Sequence, residues 1–316
     1  MSQDRSRLFW QHFYVWLPAA LLAVFLWGSA APALKISYGL FAIADGRVPD
    51  LLLFAGLRFL LAGLLTLLFF RLQAGRPQDR LSDPTYLKDV AILACFQTVI
   101  QYALFFIGMA RSGGATGSIM SSLQSFIAVI LVGLFVPGDR LSLKKIAGCL
   151  FGLAGILVLN GGFDSGGSGM TLAGEGVVFL SAAGAAVGNI FSKGVATRRH
   201  PGFACGYQMS WGGLVLGLVG LLAGGRIEPQ GAGAWWLFIY LAVLSAVAFS
   251  LWTVMLRYHD VSRLSMMQAL IPVTGTILSG IFLHEDVFRL NLLLALVLVV
   301  VGIVVLNGRG RGQRDE

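Results

Sequence analysis

Apolar residues run through this chain in long blocks, broken by short clusters of glycine, proline and charge. Stretches such as Leu51 to Phe70 and Leu290 to Leu306 have the length to cross a hydrocarbon core of about 30 Å, which takes about 20 helical residues. Reading each block between its punctuation predicts helices near 15–38, 51–72, 87–110, 115–136, 145–161, 173–196, 203–223, 234–256, 265–284 and 290–307. The predicted fold class is therefore an all-α membrane protein of ten transmembrane helices. The first apolar stretch runs from Val15 on through Leu34, and Pro32 follows the small residues where a leader would be cut, so it is read as a retained span.

Composition strengthens this picture. Hydrophobic residues make up 57% of the 316 positions and charged ones 12%, with a mean hydropathy of +0.80, against about 25% charged residues in an ordinary soluble domain. The net charge of +8 is not gathered into a basic patch interleaved with aromatics, so no nucleic-acid partner is expected. Its distribution along the chain follows the spans instead. With the N-terminus inside, 17 of the 23 lysines and arginines fall on the inner side. Lys35, Arg47, Arg111, Arg226 and Arg289 fall outside, and Arg58 lies within a span. That asymmetry places both termini in the cytoplasm of a cell (inner or plasma) membrane, with even span number. Cys95, Cys149 and Cys205 each sit in an apolar run without ligand spacing, so neither disulfide, metal nor other cofactor is expected.

The chain also repeats itself. Gly155 to Gly161 reads GILVLNG and Gly302 to Gly308 reads GIVVLNG, while Gly63 has a counterpart in Gly213. The turn at Asp139 answers the one at His284-Glu285-Asp286. The expected organisation is a tail (1–14), a first five-helix repeat (15–161), an extracytoplasmic linker (162–172), a second five-helix repeat (173–308) and a second tail (309–316). Five is odd, so the second copy enters the bilayer from the other side. Inverted copies of one structure can exchange conformations between inward-open and outward-open states, which a carrier needs and a receptor or intramembrane enzyme does not.

Several ordered stretches resemble one family. They are FLWGSAAPALK (Phe25 to Lys35), LRFLLAGLL (Leu57 to Leu65), the run from Gly117 through LFVPGDRLSLKKIAGCLFGLAGILVLNGG, and LSMMQALIPVTGTILSGIFLHED in the second half. Together they are similar to the EamA family of the drug/metabolite transporter superfamily, over essentially the whole chain. Ser125 departs from the family pattern that Pro272 keeps, and Gly138-Asp139 replaces the usual Gly-Glu. The resemblance implies a ten-helix carrier with a central cavity, whose members move amino acids, other metabolites or drugs.

Polar side chains at hydrocarbon depth are costly unless they face a partner or a wet cavity, so they mark candidate substrate contacts. Gln97 and Gln101, four residues apart, share a helical face with Tyr102 adjacent, and the next helix brings Ser118, Ser121, Ser122 and Gln124. The second half offers Asn189, Tyr207, Gln208, Trp211, Trp252 and Gln268, and the first helix Trp27. Interhelical hydrogen bonding is the competing role for the amides and hydroxyls. Trp10, Trp16, Trp235 and Trp236 read as interfacial anchors. Arg58, deep in its span, should face the interior, either as a contact for a substrate carboxylate or phosphate or as a donor bridging helices; Lys35, Arg111 and Lys193 snorkel near span ends. Gly148-x-x-x-Gly152, Gly184-x-x-x-Gly188 and Gly213-x-x-x-Gly217 permit close helix approach within the chain or between two chains, so a monomer or a homodimer is expected.

No aspartate or glutamate falls in the middle of any expected span; Asp89, Asp139, Glu175, Glu285 and Asp286 map to ends or turns. A carrier of organic cations wants an embedded carboxylate, so the expected cargo is neutral, zwitterionic or anionic. Glu175, Glu285 and His284 remain coupling candidates beside their role as caps. The sequence reading is thus a non-enzymatic exporter of amino acids or related metabolites, with a multidrug exporter and a multi-pass receptor as its rivals. HExxH, a histidine cluster and paired mid-span aspartates are all missing from the sequence.

Overall fold

The computed structural model describes residues 3–43, 47–75, 79, 81–109, 124–135, 142–159, 174, 176–268, 270–283 and 290–307, and all regular structure among them is helical. Ser118, Ser121, Ser122, Arg111, Asp139, Glu175, His284, Glu285 and Asp286 lie outside the described residues. In chain order the helices are α1 (Gln3–Gln11), α2 (Phe13–Leu40), α3 (Val48–Ala74), α4 (Pro84–Leu93), a π-helical segment (Ala94–Ile100), α5 (Gln101–Met109), α6 (Gln124–Phe135), α7 (Leu143–Leu159), α8 (Val177–Arg198), α9 (Pro201–Leu222), α10 (Ala232–Tyr258), α11 (Val261–Gln268), α12 (Ile271–Leu283) and α13 (Leu290–Asn307). Among the described residues, seven helical runs are long and apolar enough to cross a membrane: Phe13–Leu40, Val48–Ala74, Pro84–Gly108, Val177–Arg198, Pro201–Leu222, Ala232–Tyr258 and Val261–Phe282.

Local signals explain most boundaries. α3 opens with Pro49 in its first turn beside Asp50, carries Arg71 in its last turn and stops at Gly75, whose φ of 76° favours glycine. The Asp83 carboxylate accepts from the Thr85 amide ahead of Pro84, and Nδ1 of His200 accepts from the Phe203 amide ahead of Pro201. α2 continues through Pro18 and Pro32 as one helix. Two differences from the sequence reading stand out. Residues Gln3–Gln11 are helical although the first span was expected from residue 15, and the run expected from 265 begins at Val261. In the first case His12 interrupts the helix and its carbonyl accepts from the Val15 and Trp16 amides, restarting it.

The outward faces are apolar. Leu64, Leu68, Leu72, Leu218, Leu222 and Trp236 are all exposed, an arrangement suited to hydrocarbon rather than water. Inside, α3 packs along the length of α9, and α7 along α13. Both seams are made by glycine. A Cβ on Gly56 would collide with the Gly217 backbone and lie 2.8 Å from the Gly213 carbonyl oxygen, and one on Gly63 would lie 2.7 Å from the Gly206 carbonyl oxygen. On α13, a Cβ on Gly302 would lie 2.8 Å from the Gly148 carbonyl oxygen and 3.1 Å from the Gly152 nitrogen. The Gly148, Gly152, Gly213 and Gly217 spacings thus serve packing within the chain. Around these seams α2 packs on α10 and α12, and α8 packs on α5 and α6.

Both ends of the α3–α9 seam are tied. At one end Arg199 reaches Asp79 (2.9 Å), Asp83 (3.1 Å) and Asp89 (3.7 Å), while Arg198 pairs with Asp89 at 3.2 Å. At the other, the buried Asp50 accepts from the Arg226 amide at 2.8 Å, and the Phe41 and Leu40 carbonyls accept from the Glu228 and Gln230 amides. These ties join the connections flanking α3 to those flanking α9.

Candidate functional site

The third span changes helical gauge in its middle. Ala94–Ile100 is π-helical, a wider turn that recurs at functional positions, and it carries Gln97 and Thr98. Glycine on the facing helices lets this segment in. A Cβ on Gly188 would lie 3.1 Å from the Gln97 Cβ, and one on Gly212 would lie 2.5 Å from the Thr98 Cβ. Gln97 Nε2 donates to Asn189 Oδ1 at 3.4 Å, and Thr98 Oγ1 donates to Gln208 Oε1 at 2.8 Å. Beyond Gln97, the Gln101 carbonyl accepts from Ser181 Oγ at 2.6 Å, and its side chain is half-buried.

These contacts leave polar atoms over. The Nδ2 of Asn189, Oγ of Ser192, Nε2 of Gln208, Nε1 of Trp252, Oγ of Ser265, Oε1 of Gln268 and Nε of Arg58 are buried without a hydrogen-bond partner. Protein interiors satisfy nearly all such atoms, so each of these, on α3, α8, α9, α10 and α11, still has a hydrogen bond to give.

A line of aromatic rings crosses the same interior. Tyr102 lies 4.5 Å from Phe59, Phe59 lies 6.0 Å from Phe249, Phe249 lies 5.4 Å from Trp27, and Trp27 lies 5.1 Å from Trp252, centroid to centroid. Arg58 is 4% exposed, its guanidinium 4.5 Å over the Phe59 ring, and the phenols within reach of its charge are Tyr38 and Tyr102.

The residues singled out in the sequence divide accordingly. Trp27, Arg58, Tyr102 and Trp252 meet through the aromatic line, and Gln97 meets Asn189 directly. Gln124 on α6 is half-buried, Gln268 is half-buried with its amide oxygen enclosed, and Ser121 lies outside the described residues. Tyr207 lies 6.1 Å from the Tyr86 ring in a cluster with Val90, Leu93, Val195 and Ala204. Trp211 is 45% exposed on the outward face of α9, because that helix turns its glycine face to α3 and its opposite face out. Tyr38, Phe59, Phe249 and Thr98 escaped the sequence reading. A phenol near a span end and phenylalanines among many others carry no signal until the helices are docked.

Outside the spans, the polar end is electrostatically firm. Hydrogen bonds from the Thr85 side chain and amide, helped by Arg199, hold Asp83 below the usual carboxylate range, and the hydrogen bond to Asp79 holds Arg199 above its ordinary value. Burial, with the Arg257 charge adding to it, pushes the His200 imidazole down.

Comparison with known proteins decides the family. The model of the EamA-like transporter family matches residues 14–161 and again 172–308. The chain belongs to the EamA-like transporter family. It is therefore a multi-pass membrane transporter and not an enzyme. This EamA-like chain is 26% identical over 306 residues to "Uncharacterized transporter YvbV" of Bacillus subtilis, covering 94% of this chain and 93% of that one. It is 28% identical over 301 residues to the "Probable amino-acid metabolite efflux pump" of Salmonella typhimurium, covering 90% and 92%. The Escherichia coli protein of the same name is 26% identical over 303 residues, covering 90% and 92%. A crystal structure shares the fold at a TM-score of 0.72 and 21% identity, covering 92% of this chain and 95% of that chain.

Proposed function

We propose that this EamA-like transporter is a ten-span carrier made of two inverted five-helix repeats, both termini cytoplasmic, that exports amino acids or related neutral, zwitterionic or anionic metabolites by alternating access. The repeat is supported by the family model matching the two halves separately. It is supported also by the packing. Counting α4 through α5 as the third span and α11–α12 as the ninth, the second span packs on the seventh and the fifth on the tenth. The first packs on the eighth and ninth as the sixth packs on the third and fourth. Exchanging the halves maps the second–seventh and fifth–tenth pairings onto themselves and the others onto one another, as a two-fold repeat requires.

The observation that carries the substrate reading is the group of buried, unpartnered polar atoms on the faces of α8, α10 and α11, beside the Gln97–Asn189 contact. Among the described residues the buried carboxylate is Asp50, which lies in the first turn of α3 and is engaged by Arg47 and the Arg226 amide. That leaves the interior without a fixed anion for an organic cation and favours cargo that is neutral overall or negative. The names of the Salmonella and Escherichia coli relatives point to amino-acid metabolites and to efflux. A multidrug exporter would share the aromatic line but has no use for the amide contacts; a receptor has no use for the repeat.

The test is counterflow in proteoliposomes loaded with unlabelled neutral amino acids. Uptake of the labelled amino acid should saturate and should rise when the inside is loaded. A linear uptake indifferent to internal substrate would end the carrier reading, and saturable uptake of lipophilic drugs alone would favour the multidrug rival.

A further inference from the structure

Arg58 is a full positive charge placed in the span and, among the described residues, given no partner of opposite sign. It stands ten residues into α3, about 15 Å along a helix rising about 1.5 Å per residue. It is 4% exposed, its Nε has no hydrogen-bond partner, and no carboxylate of the described residues pairs with it. The Phe59 ring at 4.5 Å offers a cation–π contact, which is weaker than the desolvation it is set against. A guanidinium that merely bridged helices would donate to backbone carbonyls, and among the described residues Arg58 makes no such bond.

Two phenols share the surroundings of this charge. Tyr38 from α2 and Tyr102 from α5 approach the same charge, and each brings an O–H that can donate to an oxygen anion. Beyond them lies the aromatic wall of Phe59 and Phe249, apolar and without hydrogen-bond donors. One fixed cation balances one negative charge, so a phosphate dianion would bury an uncompensated charge where a carboxylate would not.

We propose that Arg58, with the Tyr38 and Tyr102 phenols, is the anchor for the carboxylate of the carried molecule, the apolar body of which lies along Phe59 and Phe249. This rests on the carrier reading above and restricts its cargo to monocarboxylates, amino acids among them. Arginine's planar fork suits a carboxylate, so lysine should substitute only in part.

The test uses the purified full-length protein and three matched sets: leucine, methionine and phenylalanine, with their amino alcohols and their deaminated acids. Stabilisation against unfolding is titrated for each. The acids, with or without the amine, should stabilise the wild type and the amino alcohols should not. Arg58→Gln should weaken acid binding at least about tenfold and remove the discrimination, while Arg58→Lys retains part of it. Without ligand, Arg58→Gln should unfold no lower than wild type, because it removes a buried unpaired charge; a purely structural arginine would show the opposite. Should Arg58→Gln fail to fold, Tyr38→Phe and Tyr102→Phe carry the test, each expected to weaken acid binding severalfold. Wild type stabilised by none of the acids, or bound equally well by acids and alcohols, overturns the anchor. So does acid binding unchanged in the arginine or tyrosine variants. Acid binding that depends on Arg58 without any counterflow overturns the carrier reading and leaves the anchor standing.

Discussion

Two interfaces of this protein, the α3–α9 seam and the facing surfaces of α8 with the third span, are built from the same small residues and end up unlike. At the seam, Gly56, Gly63, Gly213 and Gly217 bring backbone onto backbone, and the ends are closed by the Arg199 cluster and by Asp50. On α8, Gly188 admits a side chain instead, Gln97, and the polar atoms that follow are only partly satisfied. Close approach of backbones makes a dry, fixed contact. Close approach of a backbone to an amide makes a contact that still has bonds to give. The first is the behaviour expected of a scaffold and the second that expected of the proposed site.

The largest effect should come from filling the seam. Gly56→Val puts three carbons where the Gly217 backbone lies, and since neither helix can yield, a loss of about 3 kcal/mol or more is expected. Size-exclusion profile and thermal unfolding of the purified variant check it; a monodisperse variant with wild-type stability would mean the seam is looser than described. Next in size, Gln97→Ala combined with Asn189→Ala should raise the half-saturation for transport about tenfold. An amide contact inside a membrane bundle is worth only ~0.6 kcal/mol, so the unfolding temperature should barely move. A large loss of stability with unchanged half-saturation would reverse the two roles.

A smaller effect is expected from pH at the Arg199 end of the seam. Burial holds the folded-state pKa of His200 below the unfolded value of about 6.5. As pH falls through that value the unfolded chain takes up the proton first, so the stability His200 contributes is full above about pH 6.5 and is lost below it. Protonation also removes the Nδ1 acceptor that caps α9. His259, likewise pushed down chiefly by burial, acts in the same direction. His200→Asn keeps a capping oxygen without a titration, and its unfolding temperature should fall less between pH 7.5 and 5.5 than that of the wild type. Equal slopes would remove His200 from the account. Smallest of all, Gly39→Ala, where an added Cβ meets nothing within 4 Å, should be neutral or stabilising by about 0.5–1 kcal/mol.

The contrast between the two interfaces was only half visible in the sequence. Gly213-x-x-x-Gly217 announced a close contact, since small residues at helical spacing have few other uses in an apolar run, and Gly56 opposite was one glycine among 41. Family membership was legible because ordered motifs such as LRFLLAGLL survive without any knowledge of packing. Site membership was less so. Arg58, Gln97 and Asn189 were singled out as candidates by the cost of polarity at depth, a property each residue carries alone. Trp211 shares that property, and its direction depends on which face of α9 the seam takes. Phe59, Phe249 and Tyr38 belong to the interior by docking alone. The π-helical turn that presents Gln97 and Thr98 breaks the 3.6-residue period on which a spacing of four residues is judged.

Cargo is proposed to sit at the partly satisfied interface and not at the seam. Counterflow of a labelled neutral amino acid across proteoliposomes tests it most directly, comparing wild type, the Gln97→Ala/Asn189→Ala pair, and Gly39→Ala as the silent control. Saturable exchange is expected in wild type and control, with half-saturation about tenfold higher in the amide pair at equal protein incorporation. Exchange with the same half-saturation in all three would contradict it.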